Sequence, residues 1–409
     1  MVILPRSALG DALPPILAAA IVVFCESGAI FAVQPIIDDH CRRLGASDVA
    51  AWVGLLMLLT SLPKIVGNPL MGRLSDRFGR RPLLAVATCG TLAGSVGWAL
   101  APNLAWLVLA RGVSGLFGAQ AGLTQALVAD ITAPEQRAAK LGWLGAAFGA
   151  GAALGPLLGG VVADWFGSFA VGWAAAGLQV VSLGIIGLSL GETLPRGAGR
   201  QGAATAQRPI WTIPTVGALL AILVLQTVAL SQMIATFSPI MTDRYELSPG
   251  GKGLGWAVFG LIGVAVQGGA IRPTVRRLGE MRTCALGLAG IAVGCAIIAL
   301  CQHQGWFWLA IPLVASGAAL AAPAVLAALS CVVPPESQGR LAGLNQALLG
   351  VARSAGYVGG GALYVRGGPA TAYAVATVLS AVAGAVCLNL ARRARPALFR
   401  GSITSKTQT

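Results

Sequence analysis

Long apolar stretches alternate with short polar segments along almost the whole chain. Each stretch holds about 20 residues, the length that an α-helix needs to cross the ~30 Å hydrocarbon core of a bilayer. The pattern predicts twelve membrane-spanning helices, at residues 13–36, 49–70, 82–101, 105–128, 141–163, 169–190, 213–236, 253–271, 283–301, 306–329, 341–363 and 370–391. The predicted fold class is therefore an all-α integral membrane protein, because helices satisfy their own backbone groups in lipid.

The chain also resembles itself at an offset of about 200 residues. Arg77–Arg80 (RFGR) matches Arg277–Glu280 (RLGE), and Pro134–Gln136 matches Pro335–Ser337. Internal repeats of this kind are typical of transporters whose two bundles move about a central site. We therefore expect two pseudo-repeated six-helix bundles.

The expected domains follow from the longest polar interruption of the pattern. They are an N-terminal bundle at 1–190, a cytoplasmic linker at 191–212, a C-terminal bundle at 213–391 and a cytoplasmic tail at 392–409. The linker is too short for a folded domain, so no soluble catalytic module is expected. We expect the protein to be a monomer.

Composition supports a polytopic membrane protein, with 56% hydrophobic and 10% charged residues, and 56 glycines that suit closely packed helices. The net charge of +14 would also suit a nucleic-acid partner. Its distribution argues against that: with a cytoplasmic N-terminus, 20 of the 28 basic residues lie inside, and five lie in outer loops, namely Arg42, Arg43, Arg244, Lys252 and Arg366. We predict cytoplasmic termini by the positive-inside rule, and membrane lipid as a partner instead of nucleic acid.

Cysteine and histidine usage indicates neither a metal site nor a disulfide framework. The eight cysteines are scattered without CxxC spacing, and the only histidines are His40 and His303, in or near predicted outer loops. No P-loop is present, which disfavours an ATP-driven pump. We expect no cofactor and no catalytic residue, and a membrane enzyme or receptor remains a remote alternative.

The ten residues Gly72–Arg81 (GRLSDRFGRR) form a charged segment between the second and third apolar stretches. Two glycines, Gly72 and Gly79, are expected at its bends. The segment resembles the motif between the second and third helices of the major facilitator superfamily. That resemblance implies a conformational latch that contacts the C-terminal bundle and stabilises the outward-facing state, formed by Gly72, Asp76, Arg77, Gly79, Arg80 and Arg81. In the second repeat Arg276 stands where Asp76 stands, so the halves are not equivalent.

Two spans carry further resemblances to drug-efflux members of that superfamily. The fifth span reads GxxxGPxxGG, with Gly151, Gly155, Pro156, Gly159 and Gly160, and resembles their antiporter motif. In the fourth span Arg111, with glycines after it, resembles an element implicated in proton transfer. Each has a plainer alternative: close helix packing for the glycines, and a side chain that extends outward to water for Arg111.

Glu26 is the one acidic residue deep within a predicted span. An ionised carboxylate is costly in lipid, so Glu26 is a candidate proton carrier. Lys64, in the second span, either extends to the membrane surface, pairs with Glu26 or contacts the substrate. Arg353 and the amides Gln120, Gln226, Gln232 and Asn345 are further candidates for the substrate cavity, with interhelical packing as the alternative for each amide.

Together these features predict a twelve-helix transporter of the inner membrane, with the fold of the major facilitator superfamily. The expected function is proton-coupled efflux of an amphipathic, drug-type small molecule by alternating access. An exporter of an endogenous metabolite such as a siderophore is the alternative, because Lys64 and Arg353 would suit a cavity that admits negative charge.

Overall fold

The computed structural model describes residues 13–193, 214–333 and 337–393. Most of the predicted linker at 191–212 and nearly all of the predicted tail at 392–409 therefore lie outside the described residues. The described helices are α1 (Pro15–Ala32), α2 (Ile37–Arg43), α3 (Val49–Phe78), α4 (Arg80–Ala99), α5 (Leu104–Leu116), α6 (Gln120–Ile131), α7 (Pro134–Phe166), α8 (Ser168–Ser189), α9 (Pro214–Asp243), α10 (Pro249–Ala265), α11 (Ile271–Leu278), α12 (Glu280–Leu300), α13 (Gln304–Val332) and α14 (Gln338–Arg393).

The predicted all-α membrane fold is confirmed. Within the described residues, eleven helical segments are long and apolar enough to cross a membrane. The last of them contains two helices, because Gly368 has a φ of 74° and is followed by Pro369. Counting that segment twice gives the twelve spans.

Two predicted spans differ from the structure, the second at its end and the fourth in its middle. The charged segment after the second span is mostly helical, because α3 continues to Phe78 and only Gly79 lies outside a helix. Gly72 therefore does not mark a bend. The fourth span, predicted at 105–128, is broken into α5 and α6 by residues 117–119.

Backbone conformation repeats between the two halves of the chain. Among the described residues, six have a left-handed φ, and they form three pairs separated by 200 or 201 positions: Gly45 with Glu246, Gly79 with Gly279, and Gly167 with Gly368. Such φ values favour glycine, which accounts for five of the six. The internal repeat seen in the sequence therefore extends to the turns that connect its helices.

The chain forms two compact units. Among the described residues, unit 1 comprises 13–49, 59–193 and 247–257, and unit 2 comprises 50–58, 214–246, 258–333 and 337–393. Each unit thus includes a short segment from the other half of the sequence. In unit 2 the reason is close packing, since a methyl group on Gly361 would lie 2.5 Å from the Ala50 carbonyl oxygen.

Within unit 1 the glycine motif of α7 packs directly on α1. Methyl groups on Gly151, Gly155 and Gly159 would overlap the α1 backbone, and at Gly155 the added carbon would lie 2.6 Å from the Gly28 carbonyl oxygen. Since backbone cannot move aside as a side chain can, only glycine fits at these positions.

The same motif also holds the start of α10. A methyl group on Gly253 would lie 2.5 Å from the Pro156 carbonyl oxygen and 3.2 Å from Gly160 Cα. The backbone N–H of Gly250 donates to Asp164 Oδ2 at 3.0 Å, which satisfies a free donor in the first turn of α10. The motif at 151–160 is therefore a contact surface for two helices.

We predict that Gly155→Ala lowers the melting temperature of the purified protein, because the added methyl group forces α7 away from α1. Overpacking of this kind costs about 1–3 kcal/mol. The matched control is Gly145→Ala on the same helix, where nothing lies within 4 Å of the added carbon. Scanning fluorimetry in detergent measures both, and equal melting temperatures would contradict the packing argument.

Candidate functional site

The first candidate site in unit 1 is built around the Glu26 carboxylate. Glu26 lies on α1 and is only 3% exposed. The backbone N–H of Ala121 donates a hydrogen bond to it, and the Lys64 ammonium is the charge that acts on it. Its second oxygen, Oε2, has no hydrogen-bond partner among the described residues. Glu26 is therefore partly neutralised and still has a free acceptor atom.

The Ala121 donor is available because the fourth span is broken. The first N–H groups of any α-helix have no partner within the helix, and that end carries a partial positive charge. Since α6 begins at Gln120, Ala121 lies in its first turn. A helix interrupted inside the membrane thus presents its N-terminus to a buried carboxylate, an arrangement found at the ion and substrate sites of transporters.

Lys64, on α3, lies beside the same break. A methyl group on Gly118 would lie 2.5 Å from Lys64 Cε and 3.1 Å from its Nζ. Close packing of α3 on α5 makes this possible, since a methyl group on Gly115 would lie 3.1 Å from Thr60 Cα. This position favours the interpretation that Lys64 pairs with Glu26 over extension of its side chain to the membrane surface.

Gln120 adds a polar group next to Ala121. It is 1% exposed, and its Nε2 donates to Thr91 Oγ1 at 2.6 Å. Its Oε1 has no partner in the described part of the chain. The structure thus brings Glu26, Lys64 and Gln120 together. Glu26 Oε2 can accept a proton or a ligand hydrogen bond, and Gln120 Oε1 can accept a hydrogen bond.

Arg111 lies in a different cluster. Its guanidinium carbon is 4.4 Å from the centre of the Trp98 ring, and the His40 ring stacks on the same tryptophan at 4.4 Å. His40 Nδ1 is 3.1 Å from Ser168 Oγ. Arg111 is 8% exposed, so its side chain does not extend into water. Cation–π contact with Trp98 stabilises the guanidinium there.

The charged segment at the end of α3 forms an ion network around Arg80. Its Nη2 lies 2.7 Å from Asp76 Oδ1 and its Nε lies 3.1 Å from Asp130 Oδ2. Its Nη1 donates to Ser75 Oγ at 2.6 Å. Arg77 lies over the ring of Phe78, 5.3 Å from its centre. These contacts lie within unit 1, and the expected contact of the latch with the C-terminal bundle stays a prediction.

Glu192, which sequence reasoning did not identify, fixes the turn at Gly79. Its two carboxylate oxygens accept from the backbone N–H groups of Arg80 and Arg81 at 2.9 and 3.3 Å. It therefore caps α4, whose first donors have no helical partner. A side chain at Gly79 would overlap this carboxylate, and the φ of 103° also requires glycine.

An ion triad at the other end of unit 1 was also missed. Lys252, predicted in an outer loop, lies in α10 and is fully buried. Its Nζ lies 2.9 Å from Asp38 Oδ1 and 2.6 Å from Asp39 Oδ2. The sequence offered a weak signal, because two adjacent acids directly follow the first span. Their partner, more than 200 positions away, could not be identified from spacing.

The candidate residues of the C-terminal half lie in unit 2. Gln226 and Asn345 are buried, and each has an amide oxygen without a partner among the described residues. Gln232 donates to the Ala372 carbonyl and so joins α9 to α14, which is the packing alternative. Arg353 is exposed on α14. Among the described residues, no hydrogen bond or ion pair joins these four side chains to one another.

Known proteins resemble the chain along most of its length. The profile of the Major Facilitator Superfamily matches residues 16–357 and 275–406. The class C tetracycline resistance protein of Escherichia coli is 30% identical over 95% of this chain and 97% of its own length. The class G tetracycline resistance protein of Vibrio anguillarum is 30% identical over 92% and 96%.

A solved structure shows the same fold at low identity. The crystal structure of a peptide transporter (POT) in complex with sulfate is 15% identical, with a TM-score of 0.75 over 95% of this chain and 96% of its own. Fold and relatives alike are those of membrane transporters. The chain belongs to the Major Facilitator Superfamily.

Proposed function

We infer that this protein is a secondary active transporter of the inner membrane that exports an amphipathic, drug-type small molecule in exchange for protons. Family membership and the tetracycline-resistance relatives support export over the siderophore-type alternative. One structural observation carries the coupling mechanism: a buried carboxylate at a broken helix has one donor, one nearby cation and one free oxygen.

We assign proton binding to Glu26. In its ionised form the carboxylate is held by the α6 N-terminus and by Lys64, which offset part of the cost of charge in lipid. Protonation at Oε2 removes that charge and weakens its attraction to Lys64. A hydrogen-bond donor of the substrate and the proton would both bind at Oε2, so each excludes the other, as exchange requires.

The ion network of Arg80 is the proposed latch at the cytoplasmic side. Asp76 pairs with Arg80, and its side chain is 41% exposed. The Asp76 carboxylate therefore remains accessible to a second partner. The positive-inside distribution supports cytoplasmic termini and hence this orientation.

The Lys252 triad is the proposed lock at the opposite, outer side. Helix α10 begins in unit 1 and continues into unit 2 after Ala257, so the triad fixes one end of a helix that both units share. Alternating access requires such contacts to break and reform in each cycle. A buried ion pair suits this task. When the pair separates, both charges regain their hydration, which offsets the loss of their mutual attraction.

On the substrate side we propose the unsatisfied amide oxygens of Gln226 and Asn345, with Arg353 as a further contact. Gln120, whose Oε1 is also unpaired among the described residues, is the corresponding candidate within unit 1. Polar groups that are few, buried and unpaired are those that fix the orientation of a ligand in a largely apolar cavity.

We predict that Glu26→Gln abolishes proton-driven transport, because an amide neither takes up nor releases a proton. In everted vesicles that hold the variant, tetracycline accumulation driven by an inward-acidic gradient should fall to the level of empty vesicles. Exchange of tetracycline without a gradient should persist. Glu135→Gln, an exposed acid in the first turn of α7, is the control. Normal gradient-driven accumulation by Glu26→Gln would reassign the proton carrier.

We predict that Lys252→Met destabilises the protein by about 3 kcal/mol or more, because it leaves a fully buried carboxylate without its cation. The double variant Asp38→Asn/Lys252→Met should recover most of that loss, since the buried charge is then removed as well. Melting temperatures in detergent test this, with Lys140→Met as a control lysine. A double variant no more stable than Lys252→Met would contradict the role of charge pairing.

A further inference from the structure

An open cavity in unit 2 lies apart from the groups assigned above. It has a volume of about 460 Å³ and lies between α11 and α13. Two guanidinium groups, those of Arg272 and Arg276, line it together with five apolar residues, Ile271, Val275, Pro323, Ala324 and Ala327. A cavity with this lining suits a molecule that has both an anionic group and an apolar body.

The two arginines lie on the same face of α11, because residues four apart are neighbours on a helix. Both are exposed. Among the residues that the structure describes, neither has an ion-pair partner. Their charges are therefore available to a ligand.

In the first repeat, the arginine of the corresponding turn is paired with acids. There Arg80 is neutralised by Asp76 and Asp130. In the second repeat Arg276 occupies the position of Asp76, and Cys331 occupies that of Asp130. Neither position is acidic in the second repeat, and the acid of its turn, Glu280, stands at the position of Arg80 and does not line the cavity.

The cavity lies at the end of a membrane span. The segment Pro249–Leu278 is one of the apolar spans, so Arg276 is two residues from its end. Arg272 lies one turn deeper, about 6 Å along the helix. Just before it, Val266–Ala270 forms a π-helical turn without a buried residue, a feature often found at functional sites. This depth is that of lipid headgroups and the first part of their acyl chains.

We propose that this cavity binds an anionic phospholipid. The phosphate lies between Arg272 and Arg276, which donate hydrogen bonds to its oxygens, and an acyl chain follows Val275 and Ala324. A net negative headgroup is preferred, because no carboxylate lines the cavity to bind the amine of a zwitterionic lipid. The bound lipid supplies an anion for two guanidinium groups whose cavity is lined by no acid. The inference does not depend on the direction of transport.

Native mass spectrometry of the full chain tests this directly. The protein is reconstituted in phosphatidylcholine vesicles with increasing phosphatidylglycerol and then extracted, and retained phosphatidylglycerol is counted. Arg272→Gln/Arg276→Gln should require roughly tenfold more phosphatidylglycerol for half-saturation, since each cation near the membrane surface attracts anionic lipid. The matched control Arg277→Gln/Arg282→Gln removes the same charge outside the cavity and should retain the lipid.

A third variant, Ala327→Phe, fills the apolar part and keeps both arginines, and it should also lose the lipid. Melting temperatures confirm that each variant folds. Equal lipid loss in the two double variants would overturn the proposal in favour of general surface charge, and unchanged retention would overturn it outright. If Arg272→Gln/Arg276→Gln raised the KM for tetracycline while lipid retention stayed normal, the cavity would belong to the substrate.

Discussion

A carboxylate within a membrane-spanning helix is costly unless other groups offset its charge. Glu26 meets this constraint with two very different partners, the start of a helix and a lysine. Each has a structural requirement of its own. Ala121 can donate only because the fourth span stops and restarts, and Lys64 fits only because glycine at position 118 leaves room for its side chain. The break in the fourth span and the glycine at position 118 thus both accommodate the groups that offset one buried charge.

The glycine motif serves the same site at longer range. By packing α7 on the backbone of α1, Gly151 and Gly155 hold the helix that carries Glu26. On its other side the motif holds the start of α10, where Lys252 is buried against Asp38. A motif that resembles the antiporter motif of efflux proteins therefore connects the proposed proton site with the proposed outer lock. The packing interpretation and the antiporter interpretation of this motif therefore concern the same surface of α7.

Much of this arrangement could be predicted because it depends on local sequence. Span length, the repeat, the turn at Gly79 and the isolation of Glu26 all follow from patterns within a few turns of helix. What the sequence alone could not supply were partners brought together by the fold. Glu192 reaches Arg80 over more than 100 positions, and Lys252 reaches Asp38 over more than 200. Neither spacing has a local signal.

Two errors in the predicted helix boundaries have a common cause. Gly72 was expected at a bend and lies within α3, while residues 117–119 were expected to be helical and interrupt the fourth span. Glycine permits a bend without requiring one. Whether a helix ends there depends on what satisfies the freed backbone groups. At Gly79 the carboxylate of Glu192 does so, and after the break at 117–119 the carboxylate of Glu26 accepts from α6. In both places an acid from elsewhere in the fold accepts from the first donors of the next helix, and so decides where that helix begins.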